Sequence, residues 1–204
     1  EADAAHVWIA HLGSRPELVN QFWEFLDPEE RRRASRFHFE ILRARYVLAH
    51  GFLRQLLGRY LDADAGKIVF DFNAYGKPSV AGIEFNLSHS GALAAVAIST
   101  GALAGIDIEE IRPLPDLPGL VSRFFAVSER DAVYSSPRNQ RETIFFTHWT
   151  RKEALVKALG RGLSIPPESF DTTLDSGQGL LSCQAAPGTA WWLSDLPAMV
   201  GYAG

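Results

Sequence analysis

The sequence predicts an α+β protein of two similar halves, and three observations carry that expectation. Short alternating apolar runs, such as Val7 and Ile9 within residues 5–12, read as strands. Longer stretches place apolar residues at helical spacing: Leu18, Phe22 and Phe25 within residues 17–26, and Phe145, Trp149 and Val156 within residues 143–159. The order strand, helix, strand precedes Ser99-Thr100-Gly101-Ala102, and a similar order follows it, although no clear internal repeat is visible. Residues 1–100 and 101–204 are therefore expected to be the two halves.

A chain of 204 residues has ample length for a core, and 47% hydrophobic with 22% charged residues is ordinary for a soluble globular protein. A net charge of −4 argues against general nucleic-acid binding, which needs a basic face. Cys183 is the only cysteine, so an internal disulfide and a cysteine-built zinc site are excluded. No stretch approaches the ~18 apolar residues of a membrane span, and the start lacks a signal-peptide pattern. A cytoplasmic location is expected. The chain starts without Met and stops at Gly204 inside an apolar, strand-like run, as a trimmed chain would.

Taken in order, His6 and His11 are ordinary residues of the opening strand. Asp27-Pro28-Glu29-Glu30 opens a helix: Asp at the N-cap, Pro at the first position, acids in the first turn. Between Arg31 and Arg45 the charge inverts locally, with Arg31, Arg32, Arg33, Arg36, Arg43 and Arg45 outnumbering the acids. Arginine grips phosphate oxygens well; a solvated helix face with pairs such as Glu29 with Arg33 accounts for the run equally. Residues 44–61 form a long helix, with Val47, Leu48, Phe52 and Leu56 on its apolar side. Residues 68–72 read as a strand, and Gly76-Lys77-Pro78 as a turn with Lys77 at its tip. In residues 85–90, Asn86, Ser88 and Ser90 alternate with Phe85, Leu87 and His89. A histidine among serines can bind an anion. Ser88 and His89 make a poor nucleophile and base, because strand neighbours point opposite ways.

Gly105-Ile106-Asp107-Ile108-Glu109-Glu110 is the stretch with most chemical content. On a strand, Ile106 and Ile108 would face a core while Asp107 and Glu109 face together into a cleft. Adjacent like charges repel unless a cation lies between them, and a hard divalent ion suits carboxylate oxygens. An exposed edge strand with an acidic face is the other reading. The Pro-rich residues 112–119 exclude regular helix and inner strand, and a helix starts near Ser128. Phe124 and Phe125 are core, or, if exposed, a docking patch. In residues 143–159, Lys152 lies on the apolar stripe, while Glu153 and Lys157 are placed as an ordinary helix pair. Gly160 ends that helix. Residues 170–174 and 180–184 are expected to form a hairpin, with 191–193 a further strand.

The set FNLSHS, GIDIEE and WTRKEALVKALGRGL, together with Gly76-Lys77-Pro78, resembles the 4′-phosphopantetheinyl transferase superfamily, in its larger, surfactin-synthetase-activating (Sfp-like) type. The resemblance implies a pseudo-twofold fold with coenzyme A in the cleft between the halves. It implies transfer of the 4′-phosphopantetheine arm from coenzyme A to a serine of an apo acyl or peptidyl carrier protein, with release of 3′,5′-ADP. It assigns Asp107, Glu109 and Glu153 to magnesium, Asp107 also lying beside coenzyme A. Glu153 is further assigned as base for the carrier serine, and Lys157 to the pyrophosphate and leaving group. Lys77, Ser88 and His89 are assigned to coenzyme A phosphates, and Arg45 and Arg33 to the adenosine and its 3′-phosphate. Glu30 stands where some members have a basic contact. The expected carrier is acidic and helical, docking near the Pro-rich loop and Phe124-Phe125, and a monomer is expected. The competing readings are a non-catalytic module binding coenzyme A or carrier, and a magnesium-dependent nucleotide phosphohydrolase.

Overall fold

The computed structural model describes residues 4–80, 82–174, 176–182 and 188–204. It is a mixed helix-and-sheet structure, α+β as expected. Strand β1 (Ala5–His11), β5 (Leu93–Ser99) and β4 (Glu84–Ser90) form an antiparallel sheet with β5 in the middle. Three helices accompany it: α1 (Pro16–Phe25), α2 (Pro28–Ala34) and α3 (Glu40–Leu61). Asp27 caps α2 as expected, accepting from the Glu30 amide, and Glu30 closes a capping box by accepting from the Asp27 amide. The exposed Arg33–Glu29 pair is present as well, at 3.4 Å.

Every residue of β5 is buried, because both faces of the sheet are covered. Val96 and Ile98 pack with Leu53, Leu56 and Leu57 of α3. Leu93, Ala95 and Ala97 pack against Ala104, Ile106 and Ile108 of the segment that follows. Alanine on that face lets the next layer approach closely. Burying each of the two isoleucines contributes about 1.5–3 kcal/mol.

In the later part, α4 (Leu117–Phe124), α5 (Val127–Ser135) and α6 (Arg141–Leu159) surround a cluster of Val121, Phe125, Val133, Phe145 and Phe146. Helix α6 matches the helix read from the sequence, and Gly160 caps it at φ +64°. Two short pairings complete the chain: β6 (Glu109–Glu110) with β9 (Tyr202–Ala203), and β7 (Gln178–Ser182) with β8 (Ala190–Ser194). β2 (Asp71–Phe72) and β3 (Pro78–Ser79) make a small hairpin around the 73–77 turn.

Four local expectations change. Strand structure in residues 68–72 is confined to β2. The Pro-rich stretch is not free of helix: α4 begins at Leu117, because Asp116 caps it through the Gly119 amide and Pro118 sits in the first turn, where no backbone donor is needed. Residues 170–174 carry no strand; β7 pairs with β8 instead, and Cys183 and Gln184 lie outside the described residues. Phe125 is fully buried against Phe145 and so is core, while Phe124 is half-buried on Trp149. Phe125 therefore leaves the expected docking patch.

Candidate active site

The segment 106–110 docks on β4 through side chains rather than through a backbone ladder. Asn86 Oδ1 accepts from the Ile106 amide at 2.9 Å, Ser88 Oγ from Ile108 at 3.3 Å, and Ser90 Oγ from Glu110 at 3.1 Å. Both stretches advance two residues per rung, so the alternation in FNLSHS matches that in GIDIEE. The two serines also donate: Ser88 to Asp107 Oδ1 at 2.7 Å and Ser90 to Glu109 Oε2 at 2.6 Å. One face of β4 thereby aims both carboxylates.

Helix α6 supplies the opposing groups. Gly105 lets the segment lie directly against α6; a Cβ there would collide with the Ala154 carbonyl and the Ala158 amide. That approach brings Lys157 Nζ to 2.5 Å from Asp107 Oδ1 and 3.1 Å from Ser88 Oγ. Glu153, one turn earlier, is half-buried. Burial, and then the charge of Asp107 with a further contribution from Glu109, raise its carboxyl above the usual range; Lys157 offsets this only in part.

These groups line a cavity of about 620 Å³. Asp107, Glu109, Trp149, Glu153 and Lys157 line it, together with Arg33, Tyr46, His50 and His89. His89 is on the β4 face opposite Ser88 and opens into the cavity. Loss of hydration, then the positive charges of His50 and Lys157, hold its pKa down to about 4.

Among the described residues, no three or more His, Cys, Asp or Glu side chains are gathered closely enough to form a ready-made metal cluster. Asp107 is nevertheless only 5% exposed, and its Oδ2 is buried without a hydrogen-bond partner. A buried carboxylate oxygen left open in this way is costly without a donor or cation. The surrounding oxygen donors suit a hard ion that keeps several waters and uses few protein ligands. The residues present thus fit magnesium by donor chemistry.

Comparison with known proteins supports one family throughout. Residues 14–101 match the description "4′-phosphopantetheinyl transferase, N-terminal", and residues 104–200 match "4′-phosphopantetheinyl transferase superfamily". The chain is 38% identical to the 4′-phosphopantetheinyl transferase HetI of Nostoc sp., over 80% of this chain and 71% of that protein. It is 36% identical to the transferase psf-1 of Bacillus pumilus, over 80% and 70%, and 31% identical to the transferase Sfp of Bacillus subtilis, over 78% and 70%. The chain belongs to the 4′-phosphopantetheinyl transferase superfamily. It is of the Sfp-like type.

Within this transferase the sequence-selected residues fall into two groups. Asp107, Glu109, Glu153, Lys157, Ser88, His89 and Arg33 share the cavity. Lys77 and Arg45 are not among its lining residues, although Gly76 and Pro78 are. Lys77 Nζ turns inward, donating to the carbonyls of Ala158 at 3.0 Å and Ala104 at 3.3 Å and to Glu84 at 3.2 Å. It binds the 73–77 turn to the C-terminus of α6 instead of standing solvated at a loop tip. Arg45 is half-buried on α3, with its Nε lacking a partner.

Sequence reasoning missed Arg54. It is fully buried and donates to Glu30 at 2.6 Å, Asp27 at 2.7 Å and the Ile68 carbonyl at 2.8 Å. Its guanidinium also lies over Phe70, 4.7 Å from the ring centroid. Arg54 thus holds Glu30 and Phe70 in the cavity wall. Its only local signal was an arginine between buried leucines of α3.

Proposed function

We propose that this 4′-phosphopantetheinyl transferase moves the phosphopantetheine arm of coenzyme A to a serine of an apo carrier protein in a magnesium-dependent step that releases 3′,5′-ADP. The observation that supports the site assignment best is the Asp107–Lys157 contact beside Glu153 in the shared cavity. Two similar halves, residues 1–100 and 101–204, with coenzyme A in the cleft between them, agree with separate family matches on either side of residues 101–104 and with cavity walls drawn from both.

Asp107, Glu109 and Glu153 would hold the magnesium ion, which when bound would offset charge on the pyrophosphate oxygens. Lys157 neutralises the pyrophosphate and the departing nucleotide. In the free protein its ammonium rests on Asp107. Glu153 would accept the proton of the carrier serine, directly or through water; because a bound cation lowers a carboxylate's basicity, relay through a water is the favoured route. Ser88 positions Asp107 and Lys157 together. His89 and Arg33 hold more remote phosphate, so that binding energy there orients the reacting group. An acidic, helical carrier and a monomeric enzyme complete the reading.

Mass spectrometry of an apo carrier incubated with enzyme, coenzyme A and magnesium tests it. The carrier should gain one phosphopantetheine, and only when the metal is present. Release of phosphopantetheine into water without carrier would indicate the phosphohydrolase instead, and binding without any product would indicate a non-catalytic module.

A further inference from the structure

Lys77 stands beside the cavity with its donors spent. An ammonium has three N–H donors. Those of Lys77 find one acceptor each: Glu84 Oε2 at 3.2 Å, the Ala104 carbonyl at 3.3 Å and the Ala158 carbonyl at 3.0 Å. Its side chain is only 12% exposed. A phosphate could take this ammonium only by displacing acceptors that already hold it.

The two carbonyls mark a junction. Ala104 lies shortly before Asp107 in the chain, and Ala158 directly follows Lys157. Between them Gly105 lies against α6, and the Asp107–Lys157 contact spans the same place. The last carbonyls of a helix have no partner within it, and a cation there is favourable. At this end of α6 the 73–77 turn supplies the partners. Lys77 takes the Ala158 carbonyl, and Asn73 Nδ2 donates to the Gly160 carbonyl at 2.9 Å. Asn73 Oδ1 accepts from the amides of Tyr75 and Lys77, each at 2.9 Å, so the side chain that grips α6 also closes the turn. Gly160 is the seat: a Cβ there would fall 2.8 Å from Lys77 Cδ and 3.0 Å from Asn73 Nδ2.

We propose that Lys77 is a positioning residue for the transfer reaction and not a phosphate ligand. With Asn73 it pegs the segment carrying Asp107 to the helix carrying Glu153 and Lys157, and so sets the spacing of these groups. The proposal rests on the transferase reading above. Magnesium tolerates little error in ligand placement. A slackened junction should therefore register in metal demand and turnover before it registers in coenzyme A affinity. The turn itself does not need the ammonium: backbone bonds from the Asn73 amide to the Lys77 carbonyl and from the Gly76 amide to the Asn73 carbonyl hold it, together with the β2–β3 pairing. Gly76 and Pro78 thus stay in the cavity lining when the Lys77 donors are removed.

Lys77→Met keeps the length of the stem and deletes every donor. Carrier loading across a magnesium series, with titration calorimetry of coenzyme A in metal-free buffer, tests the proposal. In the variant kcat should fall, and half-maximal magnesium rise, by about ten- to a hundredfold, the range for a lost partner that orients a metal ligand, with the Kd for coenzyme A held within about twofold. Asn73→Ala removes an exposed, neutral side chain and should move kcat and magnesium demand the same way by less. A coenzyme A Kd weakened by about tenfold or more, at wild-type kcat and magnesium demand, would make Lys77 a phosphate ligand and overturn the proposal. Wild-type magnesium demand in either variant would overturn it too. Hydrogen exchange judges the peg without turnover: amides 157–160 should exchange about tenfold faster in Lys77→Met than in the wild type, and equal rates would overturn the peg. A wild type that loads no carrier would refute the transferase reading alone, because the exchange rates still decide whether the turn holds α6.

Discussion

Helix α6 carries two lysines paired with carboxylates, and they differ in completeness. Lys152 is 1% exposed and donates to Glu129 at 2.7 Å, the Pro167 carbonyl at 2.7 Å and the Phe170 carbonyl at 2.6 Å. Glu129 is 0% exposed; beyond Lys152 it accepts from the Ala126 amide and from both the amide and hydroxyl of Thr172. Both partners are saturated. Lys157 keeps a side chain 28% exposed to the cavity, and Asp107 keeps one buried oxygen with no donor. The first pair fastens α5, α6 and the 167–172 segment together. The second has bonding capacity left over, and leftover capacity inside a cavity is what a ligand or ion can use. Between these two pairs, burial of charge alone does not separate scaffold from site; the open oxygen of Asp107 does.

That contrast is testable. The largest effect is expected at Glu153. Glu153→Gln should lower transfer by about 10²- to 10⁴-fold, the range for a lost general base, while coenzyme A binding and melting temperature hold. Undiminished turnover would remove the base from the assignment. Lys152→Met should act on stability instead. It strands Glu129 without its cation, at a cost of about 3–5 kcal/mol, read by urea unfolding. A loss of turnover with full stability would place Lys152 in the site and erase the distinction.

Ser88→Ala is a finer probe. If the serine aims Asp107 and Lys157, transfer should fall by about ten- to a hundredfold, as for other residues that orient a metal ligand, and extra magnesium should restore part of it. If the serine instead contacts coenzyme A, the KM for coenzyme A rises and the magnesium dependence stays where it was.

The parts legible in the sequence are those in which the deciding contacts are local. The Asp27 N-cap, the Gly160 cap and the period of α6 each lie within a few residues of themselves. The alternation of Ile106 and Ile108 with Asp107 and Glu109 also survives intact, with the isoleucines in the core and the acids in the cavity. Lys77 and Arg54 were illegible because their partners arise only from folding. Lys77 reaches carbonyls of Ala104 and Ala158, and Arg54 reaches Asp27 and Ile68. Lys152 was a partial case: a charge on an apolar stripe announces a buried partner, yet nothing near it in sequence names Glu129. FNLSHS was legible as a polar-faced strand but not as a docking rail, since its rungs exist only once GIDIEE lies beside it.

The smallest effect is read by pH. Burial alone would raise the Glu30 carboxyl, but hydrogen bonds from His50 and the Asp27 amide, with the charge of Arg54, bring it net below its usual value. A carboxyl whose pKa is lower in the folded state than in the unfolded chain stabilises the fold above the unfolded value. That stabilisation is lost as pH falls through the folded value. Urea unfolding of the wild type should therefore weaken on acidification more steeply than that of Glu30→Gln, which has no proton to gain there. At neutral pH the order reverses in cause: the variant is the less stable protein, because Arg54 is left buried with a single carboxylate. Parallel acid limbs for the two proteins would show that Glu30 does not owe its ionised state to this network.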